Sequence, residues 1–403
     1  MNAKQRGRRR FLKDGTAVAL ALAAARSAGA AQGNGAESAA EPAKDHRAYG
    51  VRSDFVGSLR APDPLVPRIW LNPLQDSFGI MTPPSLFFVN NHFNVPNIDP
   101  RQHRLLVHGM VERQLFFTLD ELKRFPSVSR IHFVECVANS MSAYFPASKT
   151  VQHTHGKFGC SEWTGVPLSV LLEEVGAQKG ASWLVAESAD AGKWLRCIPM
   201  QKALEDGMVA YAQNGEPLRP EQGFPLRLLV PGWEGNINLK WLRRLKVVDE
   251  PYLSNVPNPP VNGHWQWEQQ VKSVITFPSG EQQLFGRGFY EITGLAWSGG
   301  GLVLRVEMYT DGGRTWTDAQ LQEPRLPKAA TRFRLPWNWD GRDAVLQSRA
   351  TDELGKIQPA LAELSKGRGV SLDFWKSNNM PLHTGAIQSW EVTRDGKVQN
   401  IIA

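Results

Sequence analysis

Cys136 closes the apolar run Ile131-His132-Phe133-Val134-Glu135 and is followed by Val137-Ala138-Asn139-Ser140, small and polar residues that end a strand-like pattern. A thiol in that setting has two uses. Packed away, it is a small inert hydrophobe, the commoner fate of a buried free cysteine. Deprotonated, it is a soft ligand suited to a metal already bound by sulfur. A second constellation, His153-Thr154-His155 with Cys160, supplies imidazole and thiol donors for zinc, although the spacing is poor and no fourth ligand stands out. Such a site would make the chain a secreted metal-binding or cell-surface module. Cys160 and Cys197 can instead pair, and three cysteines in an exported chain leave at least one thiol for another purpose. No C-x-x-C-H occurs, so no haem of the c type is expected on this chain.

Charge narrows the partners. The formal charge is +7, but residues 1–30 carry seven Lys or Arg against Asp14 alone, which leaves the remainder near +1. No global field remains to favour nucleic acid or an anionic membrane surface, and neither partner is expected. The basic segment reads as an address. Arg8-Arg9-Arg10-Phe11-Leu12-Lys13 looks like a twin-arginine signal, Ala17 to Ala25 is too short to span a bilayer, and Ala28-Gly29-Ala30 offers a cleavage site. Export folded to the periplasm, with a complex cofactor already loaded and no membrane anchor, is the expectation.

The elements that would position Cys136 follow from periodicity. Residues 31–84 read as a flexible linker and N-terminal extension, with order beginning near Ser85. From residue 85 to 256, short β-rich runs such as Arg104 to His108 and Leu226 to Val230 alternate with helical ones, including Thr118 to Phe125, Pro167 to Val175 and a start at Pro199. This predicts a mixed α+β domain. Pro257, Pro259 and Pro260 form a linker, and residues 257–403 show short alternating strands with glycine-rich turns, as in Leu302 to Tyr309 before Asp311-Gly312-Gly313. That pattern predicts an all-β immunoglobulin-like sandwich.

Three segments, taken in order, carry a resemblance. Phe87 to Pro96 contains Phe88-Val89-Asn90-Asn91-His92, Cys136-Val137-Ala138-Asn139 follows, and Asn214 to Arg227 precedes Lys240-Trp241-Leu242. This arrangement resembles the sulfite-oxidase family, whose pattern reads F-x-R-N-H-x-x-V-P, C-A-G-N, then N-G-x-P-L-P-x-x-H-G-F-P-x-R with K-W-L. The likeness runs from about Ser85 to Trp390, and Gly294 to Gly300 with Asp311 to Trp316 look like that family's dimerisation domain. It implies an α+β molybdopterin-binding domain (the sulfite-oxidase fold) followed by the sandwich, one molybdenum–molybdopterin per chain, and a homodimer formed through the C-terminal domain. It implies Cys136 as the catalytic metal ligand. Cofactor contacts fall on Phe88, Asn90, His92, Asp190, Gln222, Arg227 and Lys240, the last two as phosphate-side cations.

The departures matter for substrate. Where the family carries arginines that hold sulfite, this chain has Asn90 and Met141; Gln222 replaces the family's histidine before the G-F-P turn. Each absent cation forfeits on the order of 4 kcal/mol of attraction at about 4 Å and an effective dielectric near 20, before desolvation. The family's catalytic tyrosine follows the K-W-L lysine by 21 residues, which lands on Val261, with Trp265 and Trp267 the nearest aromatics. These features look like the sulfane-dehydrogenase branch of the family. That implies oxidation, by oxo transfer, of sulfane sulfur held as a persulfide on a carrier protein, with a c-type cytochrome subunit taking the electrons. A periplasmic sulfite dehydrogenase is the alternative, and would need cations from elsewhere, such as Lys149 or Arg196.

Overall fold

The computed structural model describes residues 52–252, 267–310, 315–377 and 383–402. The expected leader, residues 31–51 of the 31–84 linker, the Pro257 to Pro260 linker, Val261, Trp265 and the glycine turn at 311–313 lie outside them. The chain divides into two units, Met1–Gly57 and Ser58–Ala403. In the first, the Val56 N–H donates to the Ser53 carbonyl at 3.0 Å. The architecture below belongs to the second. Among the described residues no helix is long and apolar enough to cross a membrane.

Order begins earlier than the sequence suggests. β1 (Ala61–Pro62) pairs antiparallel with β2 (Trp70–Leu71), Leu71 and Leu74 are buried, and the Asn72 amide donates to the Phe158 carbonyl at 2.9 Å. Single anchored side chains hold this stretch instead of a repeating apolar face, so it has no periodicity to read.

Two sheets form the α+β part. One has the order β4 (Leu115–Phe117), β3 (Leu105–Gly109), β12 (Leu242–Val248), β7 (Trp183–Ser188) and β8 (Leu195–Pro199), with β12 parallel to β3 and antiparallel to β7. The other runs β10 (Glu216–Pro217), β9 (Met208–Gln213), β6 (Phe158–Pro167) and β5 (Val128–Glu135), with β11 (Arg227–Leu229) also on β9, and every pairing is antiparallel. Short helices α1 (Leu119–Leu122), α2 (Val151–His155), α3 (Leu168–Glu174) and α4 (Met200–Glu205) connect them. The first has a capping box: the Thr118 hydroxyl accepts from the Glu121 N–H, and the Glu121 carboxylate accepts from the Thr118 N–H. Leu105, Leu171, Leu184, Leu228 and Leu245 fill one core between these layers.

The C-terminal part is the expected sandwich. One sheet is β13 (Lys272–Phe277), β14 (Gly288–Trp297), β18 (Thr331–Trp339) and β17 (Gln320–Gln322). The other is β16 (Thr317–Asp318), β15 (Val303–Tyr309), β19 (Ala344–Asp352), β20 (Ser389–Val392) and β21 (Val398–Ile401). Val274, Leu295, Val306, Phe333, Leu346 and Trp390 alternate inward between them. Two features were not legible in the sequence. Helices α5 (Leu361–Arg368) and α6 (Leu372–Ser377) interrupt the strands and pack, through Leu361, Leu364 and Trp375, on Ala143 and Tyr144 just past the cysteine loop. The sandwich core also takes in Phe133 and Phe158 of the other domain, with Phe158 stacked on Trp297 at 4.1 Å between centroids.

Candidate active site

Strand alternation places the thiol. Along β5, Phe133 joins the sandwich core while Val134 and Cys136 face the other way, toward Phe87, Phe88 and Trp163. Cys136 is the first residue past the strand, and a tight turn follows in which the Asn139 N–H donates to the Cys136 carbonyl at 2.9 Å. Its own N–H donates to Lys157 at 2.9 Å. Gly235 lies against this turn: a Cβ there would fall 2.7 Å from the Glu135 carbonyl oxygen and 3.2 Å from the Cys136 Cα, so only glycine fits. The thiol is buried and unpaired, and the Asn90 amide donates to Sγ at 3.6 Å. Burial pushes the thiol up from its ordinary value, opposed by Lys157 and by that amide. Left alone it stays protonated and unreactive; a coordinated metal is what would keep it ionised.

All eight residues expected at the site line one cavity of about 110 Å³. Its wall is built from strand ends. The antiparallel pairing of β7 and β12 sets Ser188 opposite Leu242, and the Ala189 N–H donates to the Trp241 carbonyl at 2.7 Å, which brings Asp190 beside Lys240. Trp241 takes φ 54° to make the bend, and Gly223 at φ +109° lets the Gln222 turn lie against Lys240. The Gln222 amide donates to the Phe88 carbonyl at 2.9 Å and ties this turn to the Asn90 segment.

The charges in the cavity do not balance. Among the described lining residues Arg196, Arg227 and Lys240 meet a single carboxylate, Asp190, which accepts from Ser188 Oγ at 2.5 Å. Arg227 is 3% exposed, lies over the Trp163 ring at 5.1 Å, donates to Gln222 oxygens at 3.3 and 3.4 Å, and its Nε has no hydrogen-bond partner. Burial lowers it to about 9. Lys240 is lowered to about 7, first by burial and then by Arg227, while it donates to the Asn90 and Glu221 carbonyls at 3.1 Å and to the Asn91 side chain. Burial lowers Arg196 to about 10. His92 sits at the exposed rim, where partial desolvation and the charges of Arg68, Arg196 and Lys240 hold it below its usual range. Asp190, Glu221 and Glu234 offset part of this charge, and an anion with several acceptor oxygens would satisfy the remainder. A phosphate-bearing cofactor with the metal at the Cys136 end fits this donor set.

Comparison with known proteins agrees with that chemistry. Residues 92–256 match the model of the oxidoreductase molybdopterin binding domain, and residues 263–380 that of the Mo-co oxidoreductase dimerisation domain. The crystal structure of the sulfane dehydrogenase SoxCD from Paracoccus pantotrophus superposes with a TM-score of 0.79 at 38% identity, over 89% of this chain and 95% of that one. The chain belongs to the sulfite-oxidase family. Mouse mitochondrial sulfite oxidase is 30% identical over 74% of the chain, and tomato NADH nitrate reductase 33% over 70%. The chain spans 61% of the length of the former and 36% of the latter.

Several sequence expectations separate at this point. Within the sulfite-oxidase pattern, Asn90 stands at the cavity beside the thiol, whereas Met141 is partly buried on the following turn and is not among the lining residues. Of the two substitute cations considered, Arg196 lines the cavity and Lys149 lies in a different cleft. Trp267 is core, packed on Trp233 at 4.8 Å. Cys160 and Cys197 are both free thiols on different sheets. Cys160 is packed in the sandwich-side core, and no group of three or more metal-ligating side chains occurs among the described residues, so the zinc alternative has no support. Asn91, Ser188 and Trp194 also line the cavity without having been singled out. Glu135 is the larger omission: its partners come from the sandwich, far along the chain.

Proposed function

We propose that this chain oxidises sulfane sulfur, presented as a persulfide on a carrier protein in the periplasm, and passes the electrons to a c-type cytochrome. The observation that carries the reading is the neutral Asn90 amide beside Cys136 Sγ, where a pocket for free sulfite calls for a cation. The likeness to a sulfane dehydrogenase over 95% of that chain supports it.

A molybdenum–molybdopterin group bound here supplies two-electron oxo-transfer chemistry. The protein does the rest. Cys136 holds the metal as a thiolate, and Asn90 donates to that sulfur and leaves the mouth uncharged. Arg227, Lys240 and Arg196 grip the phosphate-bearing end of the cofactor and gain the counter-charge they lack. Each oxygen added to the substrate sulfur comes from water, releases two protons and two electrons, and the cytochrome accepts the electrons singly. We read the C-terminal sandwich as the surface of a homodimer, and the leader as a twin-arginine address that delivers the folded, loaded protein.

Turnover with free sulfite and with a carrier-bound persulfide, each with a c-type cytochrome as acceptor, tests the reading. Efficient use of the persulfide with a high KM for sulfite is expected. Tight, fast sulfite oxidation with no use of the persulfide would replace it with a sulfite dehydrogenase, in which Arg196 is the cation at hand. For the address, Arg8→Lys with Arg9→Lys should strand activity in the cytoplasmic fraction; undiminished periplasmic activity would refute it.

A further inference from the structure

Glu135 precedes Cys136 and points to the opposite side of the strand, where it is 0% exposed and meets only groups that hold it. One carboxylate oxygen accepts from the Lys272 ammonium at 2.5 Å and from the Asn139 amide at 2.9 Å; the other accepts from the Trp297 indole N–H at 2.7 Å. Lys272 is also 0% exposed and donates on to Ser140 Oγ at 3.2 Å. Ser140 takes φ 69°, a left-handed conformation that a serine holds only when its surroundings enforce it. The Glu135 carbonyl is fixed as well, accepting from the Gly235 N–H at 2.6 Å and the Gln269 amide at 3.0 Å. Lys272 opens the first strand of the sandwich and Trp297 ends its second, directly paired with it.

We infer that the sandwich supplies the positioning residues of the metal-binding cysteine: Lys272 and Trp297, through Glu135, fix the direction from which Cys136 presents its sulfur. The inference rests on the reading of Cys136 as the metal ligand. Its physical content is that the turn from 135 to 140 is held at three points on its far side by groups more than 130 residues away. Toward the cavity, the Asn90 amide is the side-chain contact on the sulfur itself, while the backbone of the turn is tied to Lys157 and Thr154. Loosening the far side therefore turns the sulfur, and the cofactor-binding wall formed by Arg227, Lys240 and Asp190 is not touched. A device of this kind makes the C-terminal domain part of the catalytic apparatus and not only a surface for pairing.

Two variants avoid leaving an uncompensated buried charge. Trp297→Phe removes one donor and keeps the ion pair, while Glu135→Gln with Lys272→Met removes both charges together. In the cofactor-free full chain, alkylation of Cys136 by iodoacetamide should speed up roughly tenfold in each, the scale set by one charged hydrogen bond. In the loaded enzyme, kcat should fall several-fold with the substrate KM held within about twofold, and the metal-centred EPR signal should shift. Molybdenum content should stay at the wild-type level. Unchanged alkylation of Cys136 in the folded double variant would overturn the inference. The alkylation arm decides it without any metal, so a wild-type chain that takes up no molybdenum would refute the proposed function and not this one. If Trp297→Phe does not fold, the double variant decides alone.

Discussion

The Asn90 side-chain nitrogen stands 3.6 Å from the Cys136 sulfur, with the amide oxygen buried and without a partner. On the proposed reading, the nitrogen end of this amide would steady a metal-bound thiolate, and the side chain adds no charge to the cavity it lines. If Cys136 holds the metal as proposed, that pairing would support the ligand without supplying a cation for an anionic substrate.

Cys136→Ser should leave a folded chain without turnover. A hydroxyl is a harder donor and does not ionise here, whereas a metal already bound by sulfur favours a thiolate. Activity should fall by more than about a hundredfold, since groups that merely orient a metal ligand are worth about 10–100-fold. Circular dichroism and kcat on the same preparation check it, and activity near wild type in a molybdenum-loaded variant would remove the cysteine from the mechanism.

Asn90→Arg should improve sulfite as a substrate and harm the persulfide. The new cation attracts an anion at close range, an interaction on the order of a few kcal/mol before desolvation, so kcat/KM for sulfite should rise about tenfold. Salt should erode the gain if the mouth is open to solvent. A variant whose sulfite kinetics match the wild type would show that charge at this position does not set the substrate.

Arg227→Met should act with opposite sign on the empty and the loaded chain. Without an anion, Arg227 is a buried cation facing two Gln222 oxygens, and replacing it should stabilise the cofactor-free protein by about 1–3 kcal/mol. With the cofactor, the same change removes a phosphate partner, and molybdenum per chain should drop well below one. Thermal melts and metal analysis of both forms are the check; a destabilised empty protein with full metal loading would contradict the assignment.

The empty cavity should leave a pH signature. Lys240 is lowered to about 7, while in the unfolded chain it keeps its ordinary value. Below about pH 7 the folded state carries the full penalty of a buried ammonium. Above it the folded state releases the proton and the unfolded state does not, so stability rises with pH. From pH 7 to 9 the cofactor-free chain should gain up to about 1.4 kcal/mol per pH unit, and Lys240→Met should flatten the rise. Cofactor loading should flatten it too, because the phosphate pairs with the ammonium. Parallel melting curves for loaded and empty protein across that range would argue against a phosphate at Lys240.

What the sequence by itself determined about this protein was local or repeated. Thr118 caps its helix, Leu302 to Tyr309 alternates as a strand, and Cys136 stands at the end of β5, because these depend on residues a few positions apart. The ordered motifs around Asn90, Cys136, Arg227 and Lys240 also marked the side chains that the fold gathers into one cavity. Tertiary structure alone decided the rest. Leu71 and Asn72 are anchored without any periodic signal, and Met141 drops out of the lining because the turn after Cys136 carries it away. Glu135 looked like one more residue of an apolar run until Lys272 and Trp297 met it. A buried charge is tolerable only where its partners converge, and a partner 137 residues away leaves no trace in the neighbouring sequence.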